Sequence, residues 1–186
     1  MFEEEVAAYA GAPHAVAVDS GSNALFLCCK YLQVAEVTLP KHTYISVPQA
    51  IVHAGGRVAF EALDWRGMYQ LKPYPIWDAA KRFTSGMYVA GGFVCLSFHI
   101  KKHLKIGKGG MILTDDSVAA EWLRRARYSG RSEEDYRIDN VALMGWNMYM
   151  TPVEAAHGLM LMQDMPADNA DLSEDYPDLS NLPLFK

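Results

Sequence analysis

Short, unbroken runs of Val, Ala, Ile and Phe recur along this chain, and most of them are followed closely by a stretch of helical character. "HAVAVDS" (14–20) leads into "NALFLCCKYL", and "EVTLP" (36–40) leads into "YISVPQAIVHAG" (44–55). "RVAFEAL" (57–63), "YPIWDAA" (74–80), "GGFVCLSFH" (91–99) and "GGMILTDD" (109–116) continue the series. Runs this short, without polar alternation, suit strands buried on both faces. Strands that alternate with helices predict a mostly parallel sheet between two layers of helix, a three-layer α/β/α fold. The helices carry their own punctuation. Phe2 to Tyr9 stops at Gly11, and Asp116 or Ser117 can cap "VAAEWLRRARYSG". The last helix, "TPVEAAHGLMLMQ" (151–163), has Thr151 as its cap, Pro152 in its first turn and Glu154 three residues after the cap.

With 186 residues and 51% hydrophobic content, the chain can build one good core. That core is expected over 1–163. From Asp164 the sequence turns acidic and proline-bearing, "DMPADNADLSEDYPDLSNLPLFK", which reads as a tail or an extended arm (164–186). The net charge of -5, with basic residues confined to 101–108 and 124–131, argues against a nucleic-acid partner. No apolar run approaches the roughly 20 residues of a membrane span. The acidic start "MFEEEVAAYAG" does not resemble a secretory leader, so a cytoplasmic protein is expected. Cys28, Cys29 and Cys95 lack metal-ligand spacing and read as reduced core thiols; no metal site is expected.

Four stretches can carry chemistry, and each also has an ordinary explanation. In "VDSGSNAL" (18–25) a strand turns through Gly21 into a helix whose exposed N–H groups suit a phosphate, with Ser22 and Asn23 beside it; a plain cap by Ser20 or Ser22 accounts for it equally well. In "PIWDAA" a carboxylate, Asp78, ends a buried strand and must be paired, by a helix terminus, an arginine or a protonated ring nitrogen. "CLSFHIKKHLKIGKGGMILT" (95–114) places Lys101, Lys102 and Lys105 at a strand end, where a lysine in a partly dry, cationic site can attack an aldehyde; a solvated basic loop is the plainer alternative. "GWNMYMTPVEAA" (145–156) sets Asn147 ahead of a capped helix, where turn chemistry would suffice.

In this order on one α/β pattern, these motifs resemble the DegT/DnrJ/EryC1/StrS sugar aminotransferases, of the aspartate aminotransferase fold (fold type I). The resemblance runs from Phe2 to about Gln163, through "FEEEVAAYAGAPHAVAVDSGSNAL", "HTYISVPQAIVHAGGRVAF", "WDAA", "SFHIKK", "GGMILTDD" and "GWNMYMTPVEAAHGL". It implies pyridoxal 5'-phosphate as cofactor. Lys102 then takes the Schiff-base position and Asp78 pairs with the pyridine nitrogen. Tyr44 stacks on the ring, Gly21, Ser22 and Asn23 form the phosphate turn, Ser97 adds a phosphate contact, and Lys81 borders the ring oxygen. Asn147 matches an asparagine that reaches the neighbouring subunit's phosphate, which implies a homodimer with shared sites. The implied reaction is transamination, with Lys102 as general base and acid, from a donor such as glutamate to a keto sugar attached to a nucleotide.

The sequence also departs from the family pattern. Only "WRGMYQLKPY" stands between "VAFEALD" and "PIWDAA", where the family has a further strand-helix-strand region, and its C-terminal small domain is not found after Gln163. Lys81 replaces a glutamine, Tyr149 an arginine, and Lys108 an acidic residue. These departures motivate a second expectation, a catalytically degenerate dimeric scaffold that binds the cofactor or a nucleotide sugar. A dinucleotide-binding domain is disfavoured, because no G-x-G-x-x-G follows the first strand.

Overall fold

The computed structural model describes residues 1–173 and 175–185. Seven strands and five α-helices follow the order α1 (Phe2–Ala10), β1 (His14–Val18), α2 (Gly21–Tyr31), β2 (Glu36–Pro40), α3 (Ser46–His53), β3 (Arg57–Glu61), β4 (Tyr69–Leu71), β5 (Ile76–Asp78), β6 (Phe93–Ser97), β7 (Gly110–Thr114), α4 (Ser117–Ala126) and α5 (Pro152–Met162). The punctuation read from the sequence works as expected. Gly11 ends α1 in the left-handed region (φ 76°), Asp116 caps α4, and Thr151 with Glu154 forms a capping box on α5.

The main sheet has the order β1-β7-β6-β5-β4, and β2 pairs with β3 separately. Paired backbone bonds between Thr38 and Lys72 (2.8 and 3.0 Å) join β2 to the end of β4, so the two sheets abut. The sheet is mixed. The β5–β6 and β2–β3 pairs are parallel, whereas β7 runs against both its neighbours and β4 runs against β5. The direction of β7 follows from its connection: the chain leaves β6 at Ser97 and re-enters at Gly110 directly opposite it, without a crossover helix.

Period-two alternation divides the strand side chains between two cores. Val16, Val18, Phe93, Cys95 and Ile112 face α2, α3 and α4, while Ala15, Ala17, Val94, Leu96, Met111 and Leu113 face α1 and α5. This is the three-layer arrangement, with Leu113 and Ile112 fully enclosed on opposite faces. The three cysteines are buried free thiols, as the sequence suggested. Met160 is exposed, whereas Met162 is buried against the α1 core. No helix among the described residues is long and apolar enough to cross a membrane.

The segment after α5 is extended and docked. Asp171 forms a two-pronged ion pair with Arg82 (2.8 and 2.7 Å), Asn169 donates to Phe83 O, and Lys41 pairs with Asp178 at 2.8 Å. It closes with 3-10 turns at Leu179–Asn181 and Pro183–Phe185, and Leu179 is buried.

Candidate active site

Because β1, β5 and β6 run in the same direction, their carboxyl ends Val18, Asp78 and Ser97 share one edge of the sheet. Ligands in open α/β sheets bind at such an edge. The site can be followed from β1 outward. Ser20 caps α2 by accepting from Asn23 N (3.1 Å), and the Asn23 side chain donates to Asp19 Oδ1 at 2.7 Å. Asn23 is therefore committed to the turn itself. The Ser22 hydroxyl meets Ser46 Oγ at 2.6 Å, at the start of α3. Gly21 is needed here by close approach: a Cβ would lie 2.9 Å from that of Ser97. Gly110 is required likewise, since a Cβ there would lie 2.5 Å from the Ser20 carbonyl carbon. The N-terminus of an eleven-residue helix thus opens beside Ser97, with Gly21 and Ser22 at its first turn.

Asp78 ends β5 in the core, 6% exposed. Its Oδ1 accepts from Ala80 N (3.0 Å) and its Oδ2 from the Tyr69 hydroxyl (2.9 Å). Among the described residues, neither a helix terminus nor an arginine pairs it. Burial pushes its carboxyl above the ordinary value, while the Ala80 N–H, the Tyr69 hydroxyl and the charges of Lys102 and Lys81 oppose that rise. The two lysines are therefore close enough to act on this carboxylate. Lys102 is half-buried on the β6–β7 loop, in a turn closed by its N–H to His99 O (2.8 Å), and the loop is pinned beneath by the buried Leu104. Lys101 and Lys105 are exposed, and Lys108 pairs with Asp19 at 3.5 Å. The basic loop thus divides into one lysine whose charge reaches Asp78, one at the helix turn and two in solvent.

Lys81 is buried, 4% exposed, with its ammonium 5.4 Å from the Trp65 ring and 4.3 Å from that of Tyr176. Tyr44 is exposed and lies 6.2 Å from Tyr176, ring to ring. Tyr176 comes from the C-terminal arm, where its carbonyl meets His42 Nδ1 at 2.9 Å. Asn147 is exposed. It is bridged to Tyr128, and its neighbour Met148 accepts from Asp19 N (2.8 Å), which ties this segment to the helix turn.

Gly21, Ser22, Tyr44, Asp78, Lys81, Ser97 and Lys102 are thus set around the carboxyl edge of the sheet. Motif reading missed Thr43, Tyr69, Trp65 and Tyr176. Tyr69 sits on a three-residue strand with no sequence period, and Tyr176 lies in a stretch whose composition signals only an arm. A cavity of about 640 Å³ beside the site is lined by Lys41, His42, Trp65, Lys81 and Tyr176, among others. A larger one of about 910 Å³, between α1 and the Arg124–Arg131 segment, lies elsewhere; among the described residues, none of the sequence-derived candidates lines it. The larger volume is not where the chemistry-bearing groups converge.

A mixed α/β sheet here gathers a helix N-terminus, a buried carboxylate and a lysine loop at one edge. Comparison with known proteins makes the class specific. The model of the DegT/DnrJ/EryC1/StrS aminotransferase family matches residues 1–89 and 87–176, and the chain belongs to that family. Among curated proteins it is 26% identical to the spore coat polysaccharide biosynthesis protein SpsC of Bacillus subtilis, over 95% of this chain and 60% of SpsC. It is 25% identical to the GDP-perosamine synthase of Caulobacter vibrioides, over 87% of this chain and 55% of that enzyme. The chain therefore spans little more than half the length of these relatives. Among solved structures it matches AtS13 from Actinomadura melliaura (TM-score 0.78, 23% identity, 88% of this chain and 59% of that one). It also matches S. venezuelae DesV in complex with a ketimine intermediate (TM-score 0.73, 24% identity, 88% and 56%). These likenesses show the fold.

Proposed function

We propose that this chain forms the pyridoxal phosphate-binding core of a sugar aminotransferase, moving an amino group from an amino acid such as glutamate to a keto sugar, in the first instance one carried on a nucleotide. The observation that carries the proposal is Asp78: a buried carboxylate at the end of a central strand, within reach of the charge of Lys102, on the edge where α2 opens its N-terminus. An isolated buried charge is costly. A cationic ring nitrogen is the partner such a carboxylate suits.

The residues present fit the cofactor in kind. The first turn of α2 and the Ser22 and Ser97 hydroxyls would hold its phosphate, Asp78 its ring nitrogen and Tyr44 its face. Lys102 would supply the amine that bonds its aldehyde. When bound, the cofactor offers a sink for the electron pair left when the donor amino acid loses its α-proton. Lys102 would be the base that takes that proton and the acid that returns it. Asp78 would hold the ring nitrogen in its protonated form. Tyr176 borders the same space, between Tyr44 and Lys81.

Absorbance of the purified protein with pyridoxal phosphate tests the reading. A visible band should form, be bleached by borohydride with the adduct on Lys102, vanish in Lys102→Ala, and convert on addition of glutamate. A protein that stays colourless would overturn the proposal. Lys81 and Tyr176 at the ring slot favour a second reading, a binding scaffold without turnover. In that case the cofactor binds but glutamate leaves its spectrum unchanged.

A homodimer is part of the proposal. Tyr136, Ile138, Met144, Val153 and Met160 leave apolar surface along the 136–160 segment, and Val153 and Met160 lie two turns apart on α5. Asn147 is exposed in this same segment. Sedimentation velocity should show a dimer that Met160→Glu weakens; a monomer at all concentrations would remove this part.

A further inference from the structure

Thr43, Tyr69 and Asp78 form a buried hydrogen-bonded chain with a fixed direction. Tyr69 lies on β4 directly opposite Asp78 in the antiparallel register, and its hydroxyl donates to Oδ2 at 2.9 Å. The Thr43 and Tyr69 hydroxyl oxygens are 2.5 Å apart. Tyr69 spends its single proton on Asp78, so Thr43 donates to Tyr69. The three residues are only 1%, 2% and 6% exposed, so water does not compete for these bonds. Each bond in such a chain polarises the next.

Oxygen accounting indicates what the chain is for. Ala80 N–H takes one acceptor position on Oδ1 and Tyr69 takes one on Oδ2. Each carboxylate oxygen accepts about two bonds, so the carboxylate is oriented but not saturated. The other groups facing it are Lys102 from the β6–β7 loop, Lys81 after β5, and Cys95, its partner in register on β6; Tyr176 faces Tyr69 from the arm. Thr43 also directly precedes Tyr44. The chain therefore couples the residue expected on the ring's face to the one expected at its edge.

We propose that Tyr69, held by Thr43, is a positioning residue for the reaction: it fixes the rotamer of Asp78 and keeps it ionised, so that the free acceptor position meets a protonated ring nitrogen. This rests on the function proposed above. The short strand β4 then has a clear use, since it is the element that sets Tyr69 opposite Asp78. Burial, which pushes the Asp78 carboxyl upward, is the effect that the Tyr69 bond counteracts.

The test uses Tyr69→Phe and Thr43→Val, with folding checked by circular dichroism, and two readouts. In cofactor-free protein, carboxyl carbon NMR follows the titration of Asp78. Its midpoint should rise by about one pH unit in Tyr69→Phe, as expected for losing a hydrogen bond to a charged group, and by less in Thr43→Val. With cofactor, affinity near pH 8 should fall about tenfold in Tyr69→Phe, and its acid limb should move to higher pH. Adding Tyr69→Phe to Asp78→Asn should cost nothing further. If Tyr69→Phe fails to fold, Thr43→Val decides by the same midpoint. An unmoved midpoint overturns the inference even where wild type binds cofactor. Wild type that binds no cofactor overturns the function instead, and a moved midpoint then shows that Tyr69 still governs Asp78.

Discussion

Gly21 and Ser97 meet across the carboxyl edge of the sheet so closely that a Cβ on the glycine would lie 2.9 Å from that of the serine and 3.2 Å from Leu96 O. The first turn of α2 is thereby pressed against the end of β6. Gly21→Ala must push the helix away, at a cost of about 1–3 kcal/mol as for other overpacked positions. Urea unfolding should show that loss, and titration with pyridoxal phosphate should show weaker binding than in wild type. An alanine variant as stable and as tight as wild type would mean the two elements can separate freely.

Asp78→Asn should separate stability from function. The folded-state value of this carboxyl is raised, so the stability it lends is present at acid pH and is lost as pH rises through that value. Removing the charge should therefore make the variant more stable relative to wild type at about pH 8 than at about pH 4. Cofactor affinity should fall at the same time. Parallel urea curves at the two pH values check the sign.

The docking of the C-terminal arm should depend on pH in the opposite sense. Lys41 and Ser180 hold the Asp178 carboxyl down at about 2, and the Arg82 fork lowers that of Asp171. Lowered carboxyls stabilise above their ordinary value, and the contribution fades as pH falls toward the folded value. The arm should loosen in acid before the core does. Trp65, stacked near Tyr176 with 6.4 Å between ring centroids, is the natural reporter. Its fluorescence should change below about pH 4, and Asp178→Asn should reproduce part of the change at neutral pH.

Tyr176→Ala should raise cofactor affinity, by about threefold if a single ring contact of under 1 kcal/mol is removed from competition. The measurement is a spectroscopic titration. Weaker binding in the variant would mean instead that the ring helps to cover the cofactor.

Much of this site was legible because its parts sit where regular elements end. Asp78, Ser97 and Gly21 each follow a buried apolar run, and the caps Asp116 and Thr151 stood at the expected helix starts. Tyr69 was not legible. Three residues between Gly67 and Pro73 carry no period, and their strand exists because β5 offers an edge to pair with. The reversed direction of β7 was also hidden, since an apolar run does not show which way it points. The docking of the arm depends on pairs such as Arg82 with Asp171, which lie 89 residues apart, and composition alone conveys nothing about such partners.

The loop that carries Lys102 is tied at its base by bonds from Phe98 N to Gly109 O (2.9 Å) and from Gly107 N to Phe98 O (3.1 Å). It also carries its own anchor, Leu104. Residues 99–107 therefore behave as a cassette. A loop of the same span grafted there would have to supply an apolar plug at its centre, replace the packing of Ile106 and the bond from His103 Nε2 to Ala170 O (2.9 Å), and keep an amine at the place of Lys102. For anyone wishing to reprogram this scaffold, that is the place to cut.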